Sequence, residues 1–142
     1  MAEKQGACAV KWRKPGVVEL VFSGHVSSDV VVAGVADMRS LLAVAGHEPL
    51  SAALIDTSPL TGFDAAVNGP GRTLLSVLVD YKATFIACVA TSGPVRMVGS
   101  ALSMTTGARV RFYATVAEAD AAVDAAIAQA VAKNAARNAL RN

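Results

Sequence analysis

The 142-residue chain is poor in reactive side chains: it has two cysteines, two histidines, one tryptophan and 5% aromatic residues, and 17% of it is charged. Cys8 and Cys88 lie far apart, and no CxxC, HExxH or close His/Cys/Asp cluster occurs, so neither a metal nor another cofactor is expected. A Gly-x-Ser-x-Gly turn, which would expose a nucleophilic serine, is missing. Asn68-Gly69-Pro70-Gly71-Arg72 is glycine-rich, yet it lacks the lysine and hydroxyl that complete a phosphate loop and reads as a bend or break in a helix. The longest uncharged stretch, Ala83 to Val95, has 13 residues, against the roughly 20 apolar residues that a bilayer requires, so no membrane span is expected. Met-Ala-Glu-Lys-Gln at the start has no apolar core of the secretory kind, and the expectation is a cytoplasmic protein with reduced thiols.

What is present is small and apolar. Hydrophobic residues make up 54%, including 29 Ala and 20 Val, above the usual share of roughly 45 to 50%. That composition implies a well-filled core, and the length suits one domain. The net charge of +2 comes from the ends: Lys4, Lys11, Arg13 and Lys14 lie near the front and Lys133, Arg137 and Arg141 at the end. Between them, six bases against ten acids leave the body at −4, so no basic nucleic-acid-binding face is expected. The basic residues at the end have i, i+4, i+8 spacing, which fits either one face of a continuing helix or a solvated tail.

Along the chain, Ala7 to Trp12 and Val17 to Phe22 read as a β-hairpin joined at Pro15-Gly16. Ser27-Ser28-Asp29 can cap a helix whose inner face is Val31, Val35, Met38, Leu42 and Ala45, with Gly46 ending it. Leu50 to Asp56 is a short apolar run ending in a carboxylate, the pattern of a buried parallel strand. A loop from Thr57 to Asp64 follows, then a helix from Ala65 or from Pro70 that carries Leu74, Leu75, Leu78 and Val79. Thr84 to Ala90 is a second buried strand. Gly93-Pro94 opens a helix with Val95, Val98, Ala101 and Leu102 inward, closed near Gly107. Arg109 to Tyr113 alternates as a half-exposed edge strand. From Thr115 to about Ala132, an amphipathic helix presents Val116, Ala119, Val123, Ala126, Ile127 and Ala130. The order β-β-α-β-α-β-α-β-α predicts an α/β fold: a mixed sheet with an N-terminal hairpin and about four helices packed on it.

Individual candidates have two readings each. His25, expected where a strand meets a helix, is open to ligand binding or to being an exposed loop histidine. His47 is expected on the surface, and Cys88 is read as a core thiol. Asp56 either serves a site or bonds the amides of its own loop; Asp64 either serves a site or caps a helix.

Leu54-Ile55-Asp56-Thr57-Ser58-Pro59-Leu60-Thr61-Gly62-Phe63-Asp64-Ala65-Ala66 resembles the central signature of STAS domains, in which a buried strand ends in Asp or Asn and a second Asp opens the next helix. Val18 to Gly24, the Asp56 strand, and Val110-Arg111-Phe112-Tyr113 before Glu118-Ala119 resemble the SpoIIAA-like (STAS/Sec14-like) group of small stand-alone bacterial proteins. The resemblance implies one such domain over residues 1–132, with 133–142 as a basic helical extension or tail. It also implies a recognition surface at Asp56, Thr57, Ser58, Thr61, Gly62, Phe63 and Asp64. The regulatory antagonists of this family carry a phosphorylated serine after the second Asp, whereas this chain has Ala65, which excludes that switch at that position.

The expected function is therefore a non-enzymatic protein-interaction module in bacterial signalling or regulation, with a protein partner. The alternative is a small-molecule or lipid carrier of Sec14-like type, holding a small apolar ligand. An enzyme built on His25, Asp56 and Asp64 would need those groups in one cleft. A homodimer would pair the edge strand or the hairpin, against the like charges of Arg109, Arg111, Lys11, Arg13 and Lys14.

Overall fold

The computed structural model describes residues 6–44 and 46–141. Strands β1 (Ala7–Lys14) and β2 (Val17–Val26) form the antiparallel hairpin, followed by helix α1 (Ser28–Ala43) and strand β3 (Ala52–Asp56). Next come β4 (Leu60–Phe63), a 3₁₀ turn (Ala65–Val67), α2 (Asn68–Asp80) and β5 (Phe85–Val89). Helix α3 (Gly93–Thr106), β6 (Val110–Tyr113) and α4 (Val116–Arg141) complete the order. The main sheet runs β1-β2-β3-β5-β6, parallel from β2 onward, and β4 pairs in parallel with the last residues of β2. This is the mixed α/β architecture expected from the sequence, with one added strand.

Both faces of the sheet are covered, and the strand alternation decides which residue serves which face. Val18, Leu20, Phe22, Ala53, Ile55, Ile86 and Cys88 meet α1, α2 and α3 in the larger core. Val17, Ala52, Leu54, Phe85, Ala87 and Val89 meet Ala119 and Val123 of α4 in the smaller one. Because β3 and β5 are buried on both faces, they are continuous apolar runs. Gly34 lets α1 sit close to the hairpin, since a Cβ there would come within 2.6 Å of the Cys8 sulfur.

Several expectations change in detail. α1 buries Val31, Val35, Met38 and Leu42 as the spacing predicts, while Ala45 lies outside the described residues. Ala101 of α3 is exposed, and the inward positions there are Val95, Val98 and Leu102. Asn68 to Gly71 do not break a helix: they form the first turn of α2, where Pro70 costs no hydrogen bond because that amide has no partner in any helix. α4 runs on past Ala132 to Arg141, and every residue from Val131 to Arg141 is exposed. His47 is half-buried: its ring lies 4.8 Å from that of Trp12, with Nε2 2.9 Å from the Leu42 carbonyl and Nδ1 2.7 Å from that of Glu48. Only the imidazolium donates from both nitrogens, and these backbone contacts raise its pKa.

The hairpin and α4 are joined by charge. Glu19, only 5% exposed, accepts from Arg13 at 2.6 Å and lies 3.3 Å from the Lys11 ammonium. The same Arg13 donates to Asp120 at 2.8 Å, and Lys14 bridges Asp120 and Asp124. Hydrogen bonds from Arg13 and Lys14 hold the Asp120 carboxyl below the usual carboxylate range.

Candidate functional site

The candidate residues gather where β3 and β5 end, the edge of a parallel sheet at which loops converge. β3 delivers Asp56 there, only 9% exposed, and its carboxylate accepts the Ser58 amide at 2.9 Å. Asp56 thus shapes its own turn, the second of its two readings. Thr57 anchors the turn to β5: its amide and its hydroxyl both donate to the Val89 carbonyl, at 3.0 and 2.6 Å.

The Thr57 to Asp64 segment is not a simple loop. Leu60–Phe63 forms β4 because the end of β2 offers it a partner: Gly24 lies opposite Leu60, His25 opposite Gly62 and Val26 opposite Phe63. The Gly24 amide donates to the Pro59 carbonyl at 3.1 Å, and the Asp64 amide to that of Val26, also at 3.1 Å. His25 therefore belongs to an extended strand rather than to a strand-to-helix junction. Its Nε2 lies 2.7 Å from Asp64 Oδ1, fastening this added ladder at its Phe63 end. Gly62 makes room for that ring, since a Cβ there would meet His25 Nδ1 at 3.0 Å. Asp64 occupies the cap position of the 3₁₀ turn but makes no side-chain cap bond, its carboxylate being directed at His25.

On the outer side, Ser58, Thr61, Asp64 and Ala65 are exposed, whereas Thr57, Gly62 and Phe63 are half-buried. The inner side faces a cavity of about 140 Å³ with an apolar wall. Leu60 and Phe63 contribute from β4, Leu74 and Leu75 from α2, and Val95 and Val98 from α3. Cys88 borders the same space; burial, helped by the nearby Asp56 charge, pushes its pKa up to about 12, so it is a thiol at neutral pH. Cys8, under α1, is likewise pushed up to about 12, first by burial and then by Asp37.

Among the described residues, no group of three or more His, Cys, Asp or Glu side chains could hold a metal ion. No helix among them is long and apolar enough to cross a membrane. Sequence reasoning missed the His25–Asp64 pair, whose members stand 39 positions apart, and the inward role of Leu60 and Phe63. It also missed the burial of Glu19.

No family model and no curated protein matches this chain. Solved structures do. An uncharacterized protein of the DUF3478 family with a SpoIIAA-like fold, from Shewanella loihica PV-4, superposes with a TM-score of 0.61 at 15% identity, over 87% of this chain and 98% of that one. An anti-sigma factor antagonist from Mycobacterium paratuberculosis gives 0.59 at 16% identity, over 84% and 95%. The structure of SLC26A9 gives 0.53 at 10% identity, covering 86% of this chain and 24% of its own.

Proposed function

For a chain with the STAS/SpoIIAA-like fold, we propose the role of a non-enzymatic regulatory module that docks a protein partner on the edge formed by Thr57 to Asp64. The observation that carries this reading is the way that edge is built. β4 is laddered to β2, pinned by His25 and Asp64 at one end and by Thr57 at the other, and it presents Ser58, Thr61 and Asp64 outward. A surface held in one conformation loses little entropy when a partner binds, which suits recognition without chemistry. The fold similarity to an anti-sigma factor antagonist supports a protein partner. Ala65, exposed at the start of the 3₁₀ turn, has no hydroxyl, so docking here is not switched by a phosphate at that position.

Of the two site carboxylates, Asp56 is buried and occupied by its turn, which leaves Asp64 as the outward charge. A complementary partner therefore places a basic group against Asp64. The test is retention of a partner from native extract on immobilised protein. Asp64→Arg, with circular dichroism unchanged, is expected to abolish retention of a partner that the wild type holds; equal retention by the two would overturn the assignment of this surface.

A further inference from the structure

The cavity beneath β4 has a second chamber. A space of about 130 Å³ shares the walls Thr57, Leu60, Phe63 and Val95 with the apolar cavity and is rimmed by the hydroxyl residues Ser58, Thr61, Thr91 and Ser92. The Ser92 hydroxyl makes no capping bond to α3, although Ser92 occupies the cap position. The apolar chamber is about as large as an engineered cavity of roughly 150 Å³ that stays dry and takes up benzene. An apolar body and a hydroxyl rim thus lie side by side along the shared walls Thr57, Leu60, Phe63 and Val95.

We propose that this double chamber is a binding site for a small uncharged amphipathic molecule, with one aromatic ring or short hydrocarbon body in the inner chamber and a hydroxyl-type head among Thr57, Thr61, Thr91 and Ser92. Size excludes a diacyl lipid held whole, which narrows the carrier alternative to compact ligands. Charge is excluded by the lining: among the described residues, no Asp, Glu, Lys, Arg or His borders either chamber, and an ion there would lose its hydration without a counter-charge. Hydroxyl groups suit a neutral head because each donates and accepts. Ser58 and Thr61 border both this site and the proposed docking surface, so the two adjoin at β4, while Val98, Thr91 and Ser92 belong to the ligand site alone.

Toluene, benzyl alcohol and benzoate, titrated into ¹⁵N-labelled protein and followed by amide shifts, test the assignment. Benzyl alcohol is expected to give saturable shifts at Val98 and at Thr61 and Ser92, toluene at Val98 alone, and benzoate binding at least tenfold weaker than benzyl alcohol. Val98→Phe fills the inner chamber and is expected to remove saturable binding of both neutral probes. Thr91→Val with Ser92→Ala, at exposed positions, is expected to weaken benzyl alcohol about tenfold and leave toluene unchanged, and it decides the question if Val98→Phe does not fold. Absence of saturable binding by the neutral probes, undiminished binding to folded Val98→Phe, an unchanged benzyl alcohol affinity in the double variant, or benzoate binding as tightly as benzyl alcohol would each overturn it.

Discussion

On one face of the sheet, Leu20, Phe22, Ile55 and Ile86 meet three helices, and a cavity stays open beside Phe22 and Ile55. On the other, Val17, Leu54, Phe85 and Val89 meet α4 alone, through Ala119 and Val123. The difference follows from side-chain size. Three helices bringing Leu, Val and Met from different directions cannot interdigitate everywhere, whereas α4, whose fully buried residues are Ala119 and Val123, lies close on the strands. The face covered by three helices is the one with room for a ligand; the face covered by the small buried residues of α4 is a brace, tightened by Glu19, Arg13 and Asp120 at its margin.

The largest effect that tests this contrast is truncation on the two sides of β3. Leu54→Ala is expected to cost about 3 kcal/mol, and Ile55→Ala about 2, because Ile55 borders the cavity and loses fewer packing partners. Urea unfolding of both variants measures the two costs. Equal costs, or the reverse order, would break the contrast.

The brace makes a smaller, charge-dependent contribution. Among the described residues, Arg13→Ala leaves the buried Glu19 with the exposed Lys11 as its remaining ion-pair partner, and the expected loss is about 2 kcal/mol at neutral pH, the size of a hydrogen bond to a buried charge. The acid side has a definite sign. Asp120 has a folded pKa below its unfolded value of 3.8, so its contribution is present above about pH 4 and is lost as the pH falls further. Stability measured between pH 5 and 2 should therefore fall less steeply in Arg13→Ala than in the wild type; parallel curves would remove Asp120 from the brace.

The smallest effect is expected where α4 leaves the sheet. Removing residues 131–142 should change stability by no more than about 0.5 kcal/mol, since each described residue there is exposed. A larger loss in thermal unfolding would extend the brace beyond Ile127.

The strands and helices that carry continuous or periodic apolar residues were legible in the sequence: β3, β5, the inner face of α1 and that of α4 all coincide with hydrophobic patterns. β4 was not, because four residues with Pro59 before them and Gly62 inside them carry no pattern of their own, and the strand exists only where the end of β2 is free to pair with it. Asp56 was legible as a residue of interest but not in its role, since Asx turns and site carboxylates look alike in one dimension. Glu19 reads as the polar half of an alternating strand. Its burial depends on α4, which arrives about a hundred positions later and covers that side of the sheet.

The direction of α4 has a practical consequence. It starts beside the edge where β6 ends, and its Asp120 and Asp124 meet Arg13 and Lys14 next to the start of β2, so the helix travels toward the opposite edge before its exposed stretch begins. The eleven residues from Val131 to Arg141 extend about 16 Å at 1.5 Å per residue. A surface linker or fluorophore attached along that stretch is therefore carried on a built-in spacer. Attachment there leaves Thr57 to Asp64 unmodified, so the protein can be immobilised without engineering the edge proposed for docking.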